Sequence, residues 1–365
     1  MRTRKLLVPL AFLSVLALTV RAATEAPAPK KAEEQFKNIQ VLKGIPADDV
    51  FPTMQFISAS LNKDCDFCHV DHQNEKDDKK EKLIARKMIA MTLAIDREHF
   101  EGKHEVTCFS CHRGAEHPLS VPLVASVDLP EEPEAKEAPA PPAADAVLAK
   151  YLAAAGGPEA LAKAKTRVMK GTMAGFGDAP VPIEVYAKAP GQRISIVKRE
   201  RGESKTAFDG EHGWLGSTGR PARDMVGAEN DAARIDARFA LAADLKTLFG
   251  QFRTRPGDPI DGHATVRVIA RNEGAPPFEF WFDAETGLLV RQRRYVETAL
   301  GRNPTEVTYA DYREVDGVKV PFRWTVARPS GRFTVQVDEM KQNVPVDDAL
   351  FQKPAPPPEE PPKPN

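Results

Sequence analysis

All four cysteines of the 365-residue chain fall in one five-residue pattern used twice, CDFCH at 65–69 and CFSCH at 108–112. Two thiols three positions apart, with an imidazole directly behind the second, fit four chemistries: a disulfide, a redox dithiol, half of a zinc site, or covalent attachment of haem c. A thioredoxin-type dithiol does not need the histidine and follows a strand in a βαβ setting, which the flanking sequence lacks. Zinc bound by both CxxC pairs would need four thiolates drawn across 39 intervening residues, and the histidine behind each pair would then be coincidence. A disulfide within CxxC staples almost nothing. Haem c requires two thioether sulfurs and a proximal histidine within about one helical turn, and CxxCH is its signature. The pattern therefore predicts two haem c groups, attached through Cys65/Cys68 and Cys108/Cys111, with His69 and His112 below the irons.

A sixth ligand must come from elsewhere, and a methionine opposite the histidine raises the reduction potential, as suits an electron carrier. Met54 lies 11 residues before Cys65, in ADDVFPTMQFISASLN (47–62), which reads as a helix beginning near Asp48 or Asp49 with Pro52 in its first turn. DKKEKLIARKMIAMTLAIDREHF (78–100) reads as a second helix, with Ile84, Met88, Met91 and Ile95 on one apolar face. Spacing does not separate Met88 from Met91 as the ligand. The chain thus carries two helix–loop–CxxCH units, an internal duplication. His72, His99, His104 and His117 are further candidate ligands, read as surface histidines. The charged run DHQNEKDDKKEK (71–82) reads as a solvated loop or a docking face for a redox partner.

Around this helical module the composition changes. Residues 1–22 have the basic start, apolar run and small-residue end of a signal peptide. The run from Leu6 to Val20 is shorter than the ~20 residues that span a bilayer, so export to the periplasm with cleavage is expected over anchoring. The Pro/Ala/Glu-rich stretch 121–144 reads as a disordered linker and 353–365 as a disordered Pro-rich tail. Between them, after a short helix near DAVLAKYLAAAGG (145–157), come alternating segments bounded by FDGEHG, ETGL and VDGV, a meander of antiparallel hairpins. One helix over 231–249 interrupts it. The expected fold is a small mainly-α dihaem cytochrome domain (36–120) joined to a mainly antiparallel β domain (145–352). With 51 basic and 52 acidic residues, the chain has no nucleic-acid footprint.

NIQVLKGIPADDVFPTMQFISASLNKDCDFCH together with ARKMIAMTLAIDREHFEGKHEVTCFSCHRG resembles the cytochrome c subunit family of photosynthetic reaction centres. Members that serve reaction centres carry four CxxCH motifs, so the chain resembles half of such a subunit. The resemblance implies Met54 opposite His69 and Met88 opposite His112, with Met91 left as packing. KYLAAAGGPEAL, EVYAKAPGQR, FDGEHGW, FWFDAETGLLVR and YADYREVDGVKVPF resemble the periplasmic LolA/LolB-like lipoprotein-sorting family. That resemblance implies an incomplete antiparallel barrel, closed by helices, around a hollow for a lipid or other hydrophobe. Trp214, Phe280, Phe282 and Trp324 are candidate lining residues. No catalytic constellation accompanies His212 and His263 there, and Asp209, Asp283 and Asp316 read as turn formers.

The resulting expectation is a periplasmic one-electron carrier, not an enzyme, whose partners are periplasmic or membrane-bound redox proteins. The alternatives are a lipid- or quinone-binding carrier or sensor with the cytochrome as its redox partner, and a dihaem peroxidase-like enzyme.

Overall fold

The computed structural model describes residues 30–120 and 140–355, apart from Phe176 and Asp178. The segment read as a signal peptide, most of the linker and the last ten residues lie outside the described residues.

The helical module opens with a short turn, α1 (Ala32–Gln35), tied back by the Ala32 amide to the Ile45 carbonyl. A 3-10 turn over Ala47–Asp49 leads into α2 (Val50–Leu61), with Pro52 in the first turn, where its missing N–H costs nothing. Asn62, in left-handed conformation at φ 53°, ends α2 and reverses the chain. One turn of helix, α3 (Cys65–Cys68), then carries the first CxxCH. The long helix α4 (Lys80–His99) precedes a second short helix, α5 (Cys108–His112), which carries the second. The helix–loop–CxxCH duplication is therefore present.

The apolar face expected on α4 needs correction. Lys82, Ile89, Thr92 and Asp96 are buried, while Ile84 is 54% and Met91 45% exposed. Apolar residues occupy two sides of this helix, and the protein core takes the side bearing Ile89 and Leu93. The spacing of Ile84, Met88, Met91 and Ile95 points to the other side.

The C-terminal domain begins with α6 (Ala144–Ala154) and α7 (Gly157–Lys163). Six strands follow as a meander: β1 (Thr166–Ala174), β2 (Val181–Lys188), β3 (Gln192–Arg199), β4 (Gly202–Phe208), β5 (Gly213–Ser217) and β6 (Arg220–Asp224). Two helices come next, α8 (Gly227–Asp236) and α9 (Leu241–Leu248), where the sequence suggested one. The break falls at Phe239, which turns into the core and donates its amide to the Pro190 carbonyl.

A second meander completes the sheet: β7 (Gln251–Ile260), β8 (His263–Arg271), β9 (Phe278–Asp283), β10 (Leu289–Thr298), β11 (Gly301–Val315), β12 (Val318–Arg328) and β13 (Gly331–Gln342). The first and last strands pair, so the order is β6-β5-β4-β3-β2-β1-β13-β12-β11-β10-β9-β8-β7. The result is one large open antiparallel sheet. Gly171 sits at a bulge in the β1–β13 pairing, where a Cβ would lie 2.0 Å from the Gln336 carbonyl oxygen. Only glycine lets the two halves of the sheet close up there.

Helices α6 to α9 cover one face of the sheet. Tyr151, Leu245, Phe249, Phe280 and Phe282 fill the space between, with the Tyr151 and Phe282 rings 5.1 Å apart. A smaller core of Ile194, Ile196 and Trp214 is closed by Phe351, whose carbonyl accepts the Trp214 indole N–H at 2.8 Å.

The two parts meet at the β10–β11 hairpin. Its tip residue Leu300 is 1% exposed, buried among Leu42, Phe56 and Ile89 of the helical module. The Asn303 side-chain amide donates to the Pro52 carbonyl at 2.7 Å.

Candidate functional site

In the helical module, Val50, Phe51, Met54 and Ile57 recur on one face of α2 and line a cavity of about 500 Å³. The reversal at Asn62 returns the chain so that Cys68 and His69 line the same cavity, and Ala85, Arg86 and Ile89 of α4 close it. The His69 amide bonds to the Cys65 carbonyl at 2.9 Å, which holds both cysteines and the histidine on one turn. The structure therefore brings Met54, Cys68 and His69 together across 15 residues of chain. Of the four additional histidines, His72 lines this cavity; His99 and His117 are exposed and His104 stands 3.5 Å from Asp96.

The imidazoles of the two motifs are held alike. His69 Nδ1 lies 3.1 Å from the Asn74 carbonyl and His112 Nδ1 lies 3.0 Å from the Ala115 carbonyl. A carbonyl only accepts, so each Nδ1 carries a hydrogen and each Nε2 keeps its lone pair for a metal. Burial, with Lys82, Arg86 and Lys79 nearby, holds the His69 pKa below its ordinary value and favours the neutral, ligating form. Burial pushes the Cys68 and Cys108 thiols up, the reverse of what an activated redox dithiol needs. The two CxxC pairs stand on separate turns, and among the described residues no three His, Cys, Asp or Glu side chains gather as a metal-ion cluster.

The charged run 71–82 is partly structural. Lys82 is buried and donates to the Asn74 and Lys76 carbonyls, and its ammonium is 3.0 Å from Asp77. Hydrogen bonds from Arg86, Lys82 and Asn38 hold the Asp77 carboxyl well below the usual carboxylate range. Asn74, Lys82, Arg86 and Asp77 had no signal in the sequence beyond their charge or polarity. Lys82 in particular sits in a KEK run that reads as solvated.

The second motif has a different setting. Thr107 opens α5, its amide donating to Ser110 Oγ at 3.0 Å, and the Gly114 amide donates to the Ser60 carbonyl of α2, tying the far end. Cys108 joins the small core with Phe56, Ile89 and Leu300. Met88 is half-buried on α4, whereas Met91 is exposed, with Ile84 and Phe109 also uncovered. Phe109 of this motif is itself exposed.

In the β domain a cavity of about 430 Å³ lies between the sheet and the helices. Trp324 lines it. Phe280 and Phe282 are fully buried packing residues, and Trp214 belongs to the separate core closed by Phe351, so these three are not lining residues. An apolar part formed by Met169, Met173, Ile183 and Val335 adjoins a polar part in which Arg294 makes a two-pronged ion pair with Asp236. Asp209 and Asp283 each accept backbone amides two and three residues on, as turn formers do, and Asp316 occupies a left-handed turn position. None of them takes part in the cavity.

The chain thus holds two helix–loop–CxxCH units that leave a histidine Nε2 available, docked on an open antiparallel sheet with a lined hollow. Residues 14–148 match the model of the photosynthetic reaction centre cytochrome C subunit family. The photosynthetic reaction center cytochrome c subunit of Thermochromatium tepidum is 33% identical over 88 residues, 23% of this chain and 22% of that protein. That of Rubrivivax gelatinosus is 26% identical over 95 residues, 25% of this chain and 26% of that protein. The chain thus spans about a quarter of the length of these relatives. Among solved structures, a DUF1329 family protein from Desulfovibrio piger covers 57% of this chain and 96% of its own, at 15% identity and a TM-score of 0.40. A LolA superfamily protein from Nitrosomonas europaea covers 57% and 97%, at 15% identity and a TM-score of 0.38. The resemblance of the helical module implies covalently bound haem c, and the donors present fit that group: paired thiols, an oriented imidazole and, at the first motif, a thioether in the same cavity.

Proposed function

We propose that the chain is an exported electron-transfer protein whose helical module carries two haem c groups. The observation that supports this most is the matched orientation of His69 and His112 by backbone carbonyls, with Met54 facing the same cavity as His69. Bound haem c supplies a one-electron Fe(III)/Fe(II) couple. Cys65, Cys68, Cys108 and Cys111 would anchor the groups, His69 and His112 would supply imidazole donors, and Met54 and Met88, each on a helix preceding its own CxxCH, would supply soft thioether donors. The partners are periplasmic or membrane-bound redox proteins, and the export signal is residues 1–22. The β domain is a hydrophobe-binding module. Its cavity favours a second reading, in which that module is a lipid or quinone carrier and the cytochrome its redox partner.

The test is expression with a cytochrome c maturation system, followed by intact mass and absorption spectra. Two added haems with low-spin, methionine-type spectra are expected. A high-spin component binding cyanide or carbon monoxide would move the reading to a peroxidase-like enzyme, and bound zinc without haem would end it.

Replacing Met54 by histidine should lower one of the two reduction potentials and leave the other in place. A shift on the order of 0.1 V is expected, within the roughly 0.8 V that axial ligands span. Spectroelectrochemical titration reads this, and two unchanged potentials would remove Met54 from the ligand set.

A further inference from the structure

We propose that the β-domain cavity takes an anionic amphiphile, a single acyl chain ending in a carboxylate or phosphate; this deepens the hydrophobe-binding reading above. The cavity is lined by seven basic side chains, Arg167, Arg193, Arg199, Arg238, Arg294, Arg328 and Lys319, against one carboxylate, Asp236. Both oxygens of that carboxylate are already engaged, by Arg294 at 2.9 Å on each prong and by Gln292 at 3.0 Å. Arg238 stands 4.0 Å from Asp244 outside the lining, and Arg167 donates to Gln342, which leaves no unengaged carboxylate of the lining for Arg193.

Arg193 is the centre of this imbalance. It lies half-buried on β3, in the electrostatic neighbourhood of Asp236, Tyr309 and Arg294, and among the described residues its guanidinium makes no hydrogen bond or ion pair. Burial lowers its pKa, against the attraction of Asp236. Tyr309 lies in the same electrostatic neighbourhood, and its hydroxyl likewise makes no hydrogen bond among the described residues. A planar guanidinium presents paired N–H groups suited to a carboxylate or phosphate. Arg328 faces the same charges at the more exposed end. Met169, Met173, Ile183 and Val335 supply the apolar remainder, and about 430 Å³ lies within the range of single-ligand pockets. A neutral quinone or alcohol would fill the apolar part and leave the Arg193 guanidinium unanswered.

Four ligands with one twelve-carbon tail test this on the full-length protein by isothermal titration calorimetry below their micelle concentrations. They are dodecanoate, dodecyl phosphate, dodecanol and dodecyltrimethylammonium. At least one anion should bind roughly 10-fold or more tighter than dodecanol, as a charge-assisted hydrogen bond allows, and the cation weakest. The tighter anion identifies the headgroup as carboxylate or phosphate. In Arg193→Gln the anion's advantage should fall to about 3-fold or less with dodecanol unchanged, and Arg193→Lys should keep part of it. Arg328→Gln, at the exposed end, gives the same reading should the Arg193 variants not fold. Equal binding of dodecanol and both anions overturns the charge selection while leaving a hydrophobe site in place. Binding of none of the four overturns both readings.

Discussion

The L300D variant is expected to separate the helical module from the β domain. Leu300 projects from the two-residue tip of the β10–β11 hairpin into a core formed otherwise by the cytochrome-like module, among Leu42, Phe56 and Ile89. Truncating a buried leucine costs about 2–5 kcal/mol, and a carboxylate there adds the cost of desolvating a charge with no partner. The surroundings cannot relax to meet it. At Gly301, with φ 142°, a Cβ would already lie 2.7 Å from Phe56 and 3.2 Å from Thr107, so helix and hairpin are in close contact. The expected readouts are a larger radius of gyration by small-angle X-ray scattering and a calorimetric melt divided into two transitions. Because Cys108 shares that core, the visible spectrum of a haem attached at CFSCH, as proposed, should also change. A wild-type radius with one unchanged transition would mean that this contact does not hold the modules together.

Removing the Asp236 carboxylate should be the most destabilising single change in the β-domain cavity. Asp236→Ala strips Arg294, only 8% exposed, of its two-pronged partner and the buried Gln292 amide of its acceptor. Breaking a buried ion pair from one side costs about 3–5 kcal/mol. Asp236 is itself about a third exposed, so a loss toward the lower end, about 3 kcal/mol, is expected. Arg193, attracted by the same carboxylate, loses its counter-charge as well. Asp236→Asn should be milder, since the amide oxygen still accepts from Gln292. All three tryptophans of the chain, Trp214, Trp281 and Trp324, lie in the β domain, so urea unfolding followed by tryptophan fluorescence reports this domain. Equal midpoints for Asp236→Ala and wild type would show that the pair contributes nothing net.

What could be read in the sequence follows from locality. CxxCH confines three donors to one turn, and the two helices before the motifs are marked by their own composition and by Pro52 and Asn62. The hairpins are marked by Asp and Gly in their turns: Asp209 and Asp283 carry their own backbone hydrogen bonds, and Asp316 precedes a glycine. Each of these signals acts over a few residues, so the order of elements and the antiparallel hairpins were legible in the sequence.

Other features depended on which surfaces came together. The sequence placed Met88 and Met91 on the core face of α4, but the helix is apolar on two sides, and packing chose Ile89 and Leu93. The helix expected over 231–249 is divided because Phe239 finds a place in the core that no local propensity encodes. Trp214, Phe280 and Phe282 have the composition of pocket-lining residues, yet the sheet sends the first to its other face and buries the other two in packing.

From its sequence alone, this protein is specified as two CxxCH motifs on a duplicated helical unit, followed by a meandering β domain. Those facts rest on bonds and turns between near neighbours. Only the tertiary structure decided that Asn74 and Ala115 orient the histidines, that Lys82 is buried, that Leu300 joins the two modules, and that arginines from distant strands share one cavity with a single carboxylate. Burial and charge balance are sums over residues far apart in the chain, and these sums exist only once the chain has folded.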